Sequence, residues 1–202
     1  MQEPIPLDDL ELSVLTDQQF FPAKFRIGSK LDQLLNLLRD QIKQEIAPLA
    51  PHLPDAFDTQ QGKVSRGENY NSFPYRVLDF PKAMSQDDVF TFRTLVLFGH
   101  HVSYHLILSG RFKPPFQERI IAHSGSLPES MMLSAQTTPW EWELNETTYV
   151  PVRALQEEKA ADALRQHPFL KISFFAPLGS YMDIPKTGRE IWKLWQAVLF
   201  GA

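Results

Sequence analysis

Three histidines close together in the middle of the chain form its densest group of titratable side chains: His100, His101 and His105. Histidine is the commonest protein ligand for metal ions and the usual acid–base group near neutral pH. A metal site needs three or four convergent ligands, and this spacing does not match that of a helical zinc motif. Two turn histidines and one hydrogen-bonded sheet histidine explain the pattern more simply. We therefore predict neither a bound metal nor a cofactor.

A second polar group is predicted on one face of a β-hairpin. An arginine on such a face offers a planar fork that binds carboxylate or phosphate. The candidate ligand-binding residues of this face and its surroundings are Arg93, His105, Ser103, His101 and Arg76. The alternative is structural, because buried ion pairs imitate functional sites. In that interpretation Arg93 pairs with a carboxylate such as Asp79 beneath a covering helix.

The hairpin that would position these residues spans residues 89–109. Residues 89–98 and 102–109 are rich in β-branched and aromatic side chains, which favour strands. A three-residue loop at 99–101 places the apolar side chains of both strands on one face, whereas a two-residue loop would mix the faces. A helix over residues 85–98 is the competing interpretation, since Ser85 and Asp88 resemble a capping box. The aromatic and β-branched content favours the strand.

The remaining elements predict an α+β fold with a single antiparallel sheet centred on the 89–109 hairpin. A long N-terminal helix and a C-terminal helix are expected to pack on this sheet. Residues 1–15 are predicted to be extended or disordered, and residues 16–202 to form one α+β domain. The further predicted elements are strands at 63–66, 75–80 (near a sheet edge), 140–144, 148–152 and 170–176, and helices at 16–46, 116–123, 156–166 and 187–199.

Composition excludes several classes of protein. The chain has 20 basic and 24 acidic residues, a net charge of −4, which argues against nucleic acid as a partner. It has no cysteine, so disulfides and thiolate chemistry are excluded. Its start does not resemble a signal peptide, and no apolar run reaches the roughly 20 residues that span a bilayer. We predict a cytoplasmic protein without a membrane partner.

One stretch resembles a known group of proteins. The run GENYNSFPYRVLDFP, followed by FRTLVLFGHHVSYHLILSG, lies within residues 67–110. It is similar to a set of uncharacterised bacterial proteins that share a PYxVLDFP…FRT…G…S…L.LSG core. The resemblance implies a small bacterial cytosolic protein of unknown function. It implies no activity and no catalytic residue.

No motif in the sequence indicates a reaction, and neither nucleotide-binding fingerprint is present. The expected function is a non-catalytic ligand-binding or protein-interaction module that forms a homo-oligomer. Its contact surface would be the exposed edge of strand 75–80 or the helix that carries Trp192 and Trp195. The alternative is an enzyme or a binder of a small anionic ligand that uses the Arg93/His105 face. The sequence leaves open whether the protein is an enzyme.

Overall fold

A computed structural model describes residues 5–50, 53, 56–145 and 147–201. These residues form five α-helices and one sheet of seven strands. None of the described helices combines the length and the apolarity needed to cross a bilayer. The helices are α1 (Asp9–Thr16), α2 (Phe20–Ile46), α3 (Lys113–His123), α4 (Glu158–Gln166) and α5 (Ile184–Phe200), and the strands are β1 (Lys63–Tyr70), β2 (Phe73–Met84), β3 (Val89–Leu97), β4 (His101–Ser109), β5 (Met132–Ser134), β6 (Tyr149–Pro151) and β7 (Phe169–Pro177).

The strand order is β1-β2-β3-β4-β7-β5-β6, and every pair of neighbours is antiparallel. The predicted α+β fold with one antiparallel sheet is therefore confirmed. Strand β2 hydrogen-bonds to β1 on one side and to β3 on the other. The prediction of an exposed edge at residues 75–80 is wrong, because residues 63–67 of β1 pair with residues 75–79 and cover that edge.

The central hairpin has the predicted loop length but a different loop position. Leu97 pairs with His101, so the three loop residues are 98–100 rather than 99–101. The pairing is shifted by two residues from the predicted one, and a shift of two leaves every side chain on its predicted face. The competing helix over 85–98 is wrong, because Val89–Leu97 is a strand.

Helices α2 and α5 pack on one face of the sheet and bury the main core there. Leu35, Leu38 and Ile42 of α2 are fully buried. Trp192 of α5 lies against Phe92 of β3, with 5.6 Å between ring centroids. The wide apolar arc of α5 is explained by contacts with both α2 and the sheet. Trp192 and Trp195 are 0% and 1% exposed, so the prediction that they form an outer contact surface is wrong.

The N-terminal segment contains a helix where extended or disordered chain was predicted. Helix α1 begins with a capping box in which Asp8 and Glu11 each bond the other's backbone N–H. Asp17 then interrupts the predicted helix 16–46, because its carboxylate accepts hydrogen bonds from the backbone N–H groups of Gln19 and Phe20. The prediction for residues 1–15 is therefore wrong over α1, and residues 1–4 lie outside the described residues.

The predicted strand at 140–144 is also wrong. Residues 140–144 have no strand conformation, and β6 pairs with β5 instead. Trp140 and Trp142 are two residues apart, like residues on one face of a strand, but no strand forms here. Their rings instead contact the guanidinium group of Arg93 on β3.

Gly188 allows α5 to approach α2 and the sheet closely. A Cβ atom at this position would lie 2.6 Å from Leu38 Cδ2 and 3.0 Å from Tyr104 Cε1. We expect Gly188→Ala to lower the free energy of unfolding by about 1–2 kcal/mol, because the cost of overpacking exceeds the gain in helix propensity. Urea denaturation measures this effect. Gly179→Ala is the control, since no atom lies within 4 Å of its Cβ position; equal effects of the two substitutions would contradict the close packing.

Candidate functional site

A row of polar residues crosses the sheet on the face opposite α2 and α5. Asp79, Arg93, His105 and Ser173 are directly opposed on the four adjacent strands β2, β3, β4 and β7. Directly opposed side chains lie on the same face, about 5 Å apart. The fold therefore brings together Arg93 and His105, as the sequence predicted, and adds a carboxylate and a hydroxyl at either end. We call this set the polar row.

Arg93 is bound by a carboxylate within the polar row. Its Nε and Nη2 atoms donate to the two oxygens of Asp79 at 2.7 Å each. Thr91 also donates to Asp79, at 3.0 Å. The side chains of Arg93 and Asp79 are only 14% and 15% exposed. This is the ion pair of the structural interpretation, although a loop rather than a helix covers it.

His105 is fully buried and lies between two hydroxyl groups. Its Nε2 is 2.8 Å from Ser103 Oγ and its Nδ1 is 2.7 Å from Ser173 Oγ. Burial, and then the positive charges of Lys171 and Arg93, hold the pKa of His105 well below its ordinary value. The imidazole is therefore neutral at pH 7, with one nitrogen donating and the other accepting. Both nitrogens already have partners.

Lys171 is a buried lysine beside the polar row, and the sequence analysis did not single it out. Its side chain is 0% exposed, and its Nζ donates to the carbonyl of Glu141 and lies 3.4 Å from Gln136 Oε1. Burial, and then the charge of Arg93, lower the pKa of Lys171 to about 7. The signal available in the sequence was a lysine within the otherwise mainly apolar strand predicted at 170–176, LKISFFA.

Two tryptophans of the segment before β6 cover the polar row. The Arg93 guanidinium lies over the rings of Trp140 and Trp142, at 4.9 and 4.8 Å from their centroids. Lys171 Nζ lies 4.5 Å from the centroid of the Trp142 ring and forms a cation–π contact with it. The backbone N–H of Trp142 donates to the hydroxyl of Tyr70 at 2.8 Å, which ties the cover to β1. The polar row is thus enclosed.

The other two candidate residues lie apart from the Arg93–Asp79 pair. His101 is on the same face, half-buried against Phe175 at 5.0 Å between ring centroids. Burial, and then the charge of His100, lower the pKa of His101 to about 4. Arg76 lies on the opposite face, where its Nε is 3.1 Å from Asp32 of α2. Its inclusion in the predicted group is wrong, because Arg76 and Asp79 are three residues apart and strand faces alternate with period two.

The described part of the chain contains no group of three or more His, Cys, Asp or Glu side chains placed to hold a metal ion. His100 is exposed in the hairpin turn, whereas His105 is buried between serines. The three histidines of the dense cluster thus occupy different environments.

A large apolar surface is exposed at the N-terminal end of the chain. Helix α1 has no buried residue. The first two turns of α2 continue this surface with aromatic and aliphatic side chains that are about half exposed or more. We call this set the N-terminal apolar surface; its large apolar members are Ile5, Leu7, Leu10, Leu12, Leu15, Phe20, Phe21, Phe25 and Ile27. Scattered single apolar residues are ordinary on a protein surface, whereas this set concentrates nine of them within residues 5–27.

A cleft of about 420 Å³ lies next to this surface, between α2, the tip of the central hairpin and the segment after β7. Its walls are mainly apolar, and they include Ile27, Phe98 and Leu178. Lys30 is the charged residue of its lining. We call it the tip cleft.

Comparison with known proteins gives no relative from which a function could be carried over. No protein-family model, no curated protein and no solved structure matches this chain.

Proposed function

We propose that this protein is a non-catalytic interaction module that self-associates, with helix α1 of one copy bound in the tip cleft of a second copy. The observation that carries the proposal is the N-terminal apolar surface, in which an entire helix has no buried residue.

Helix α1 cannot be stabilised by its own sequence alone. It has eight residues, and isolated helices shorter than about 12 residues are marginal in water. Within the helix, Leu10 and Val14 are four residues apart, which places them on one stripe. Such a stripe is stabilised by burial against another surface. Because no residue of α1 is buried within its own chain, a second chain is the partner that we propose.

The charges of α1 and of the tip cleft are complementary. Residues 5–23 contain four acidic residues, Asp8, Asp9, Glu11 and Asp17, and no basic residue. The tip cleft carries Lys30, which is exposed and forms no ion pair within the described ranges. An acidic helix with an apolar stripe therefore matches an apolar cleft with a basic rim, and complementary charge favours this orientation of the contact.

The alternative function, an enzyme or a small-anion binder at the Arg93/His105 face, has less support from the contacts. A ligand would have to displace Asp79 from the fork of Arg93 and a serine from His105. It would also have to move Trp142, which is 6% exposed. Because Arg93 and His105 are already hydrogen-bonded and covered, their contacts favour a structural role for the polar row. The proposed function therefore rests on the N-terminal apolar surface.

The proposal predicts that Leu10→Glu converts an oligomer into a monomer. A charge in the apolar stripe opposes burial, so we expect the dissociation constant to rise at least tenfold. Sedimentation velocity over a concentration series measures this. Leu37→Glu is the matched control, because Leu37 is 49% exposed on α2 and is not part of the tip cleft. A wild-type protein that stays monomeric at high concentration, or equal effects of both substitutions, would contradict self-association through α1.

A further inference from the structure

A second apolar cavity, of about 630 Å³, lies at the end of α2 and β3 remote from the tip cleft. It is lined by Leu49, Leu53 and Phe57 after α2, by residues 111–112, by α3 and by the end of α5. Four phenylalanines contribute to its lining: Phe57, Phe112, Phe116 and Phe200. Its volume is in the range of about 300–1,000 Å³ that is usual for small-molecule sites.

The aromatic walls of this cavity are held in place by one another. Phe57 packs on Phe112 with 5.4 Å between centroids, and Phe116 packs on Phe200 at 5.6 Å. Both are edge-to-face contacts, the arrangement that aromatic pairs favour. Phe116 and Phe200 are nevertheless only partly buried. The cavity thus offers a preformed apolar surface that is still in contact with solvent.

Two arginines are the only charged residues that line this cavity in the described part of the chain. Arg119 donates from Nη1 to the carbonyl of Leu199 at 2.6 Å, and it forms no ion pair with a described residue. Arg111 pairs through Nε with Asp88 at 3.3 Å, yet its side chain is 62% exposed. Within the described ranges, both guanidinium groups therefore retain N–H donors without a protein partner, and these donors can bind an anion. Among the described residues, no carboxylate side chain lines the cavity.

We infer that this cavity binds a small amphipathic carboxylate. The apolar body of the ligand would contact the phenylalanine rings, and its carboxylate would accept hydrogen bonds from Arg119 and Arg111. The two arginines of the lining favour an anionic ligand, and the planar fork of a guanidinium group suits a carboxylate. This site is independent of the proposed self-association, because it shares no residue with α1 or the tip cleft.

Isothermal titration calorimetry with decanoate, and with uncharged decanol as the matched ligand, tests the inference. We expect decanoate to bind the wild type at least tenfold more tightly than decanol. Arg119→Met and Arg111→Met should each weaken decanoate binding about tenfold, since each removes a charge-assisted hydrogen bond. Arg153→Met is the control, because Arg153 pairs with Glu129 and does not line the cavity.

Arg119 also bonds the carbonyl of Leu199, so the melting temperature of each variant without ligand is measured alongside. Arg111→Met keeps the test decisive if Arg119→Met unfolds, because Arg111 is mostly exposed. The inference is overturned if decanoate does not bind, if decanol binds equally well, or if neither folded arginine variant differs from the Arg153→Met control.

Discussion

Replacing Asp79 by alanine is expected to lower the free energy of unfolding by about 3–5 kcal/mol. The substitution leaves Arg93 charged and mostly buried, without the two hydrogen bonds at 2.7 Å that now hold it. Thr91 loses its acceptor as well. The destabilisation arises mainly from the unpaired cation rather than from the loss of a net favourable pair, because removal of both charges together is often close to neutral.

The double variant Asp79→Leu/Arg93→Met is the control for this interpretation. We expect it to recover most of the stability lost in Asp79→Ala, since it leaves no buried charge without a partner. Urea denaturation followed by tryptophan fluorescence measures all three proteins. A cost below about 1 kcal/mol for Asp79→Ala would mean that water or another group replaces the carboxylate, and the enclosed polar row would be wrong.

The second large effect concerns the pH dependence of stability. The pKa of Lys171 is about 7 in the folded protein, below its ordinary value of 10.5. Between these values the unfolded chain binds a proton that the folded chain does not, so the free energy of unfolding rises with pH by up to about 1.4 kcal/mol per unit. Below pH 7 both states are protonated, and this contribution to the slope disappears. Lys171→Met removes it.

We therefore expect the wild type to gain about 2–3 kcal/mol relative to Lys171→Met between pH 7.5 and 9.5. The upper limit avoids pH 10, above which Tyr104 and Tyr149, whose pKa values are raised by burial, lower the stability of the folded state. The pKa of Lys113 is also lowered by burial, so the measurement compares the two proteins rather than the absolute slopes. Lys186→Met, at an exposed lysine, is the control. Parallel curves for the wild type and Lys171→Met would contradict a buried, readily deprotonated Lys171.

The sheet could be predicted from the sequence because period-two alternation is a local property. The side chains of 89–109 show which faces are apolar, whatever the exact loop position. The same rule would have placed Arg76 and Asp79 on opposite faces, so that error was avoidable. The capping box of Asp8 and Glu11 was likewise a readable signal for α1.

Other features depend on contacts between residues that are distant in the sequence. Apolar and charged residues alternate in the WEWEL run (residues 140–144), as they would in a strand. The position of Trp142 is instead determined by contacts with Arg93 and Lys171, which are 49 and 29 residues away in the sequence. The apolar arc of α5 allowed either burial or an outer contact, and only the position of α2 shows that Trp195 is buried. The tip cleft joins parts of α2, the hairpin and the segment after β7, and no local pattern indicates it.

Mixing two variants that are each defective in self-association tests the central claim most directly. Leu10→Glu damages α1 and leaves the tip cleft intact, whereas Ile27→Glu damages the cleft and leaves α1 intact. We predict that each variant alone sediments as a monomer, and that an equimolar mixture forms a heterodimer held by the one undamaged helix–cleft pair. A mixture in which both proteins remain monomeric, although the wild type associates, would contradict the binding of α1 to the tip cleft of another copy.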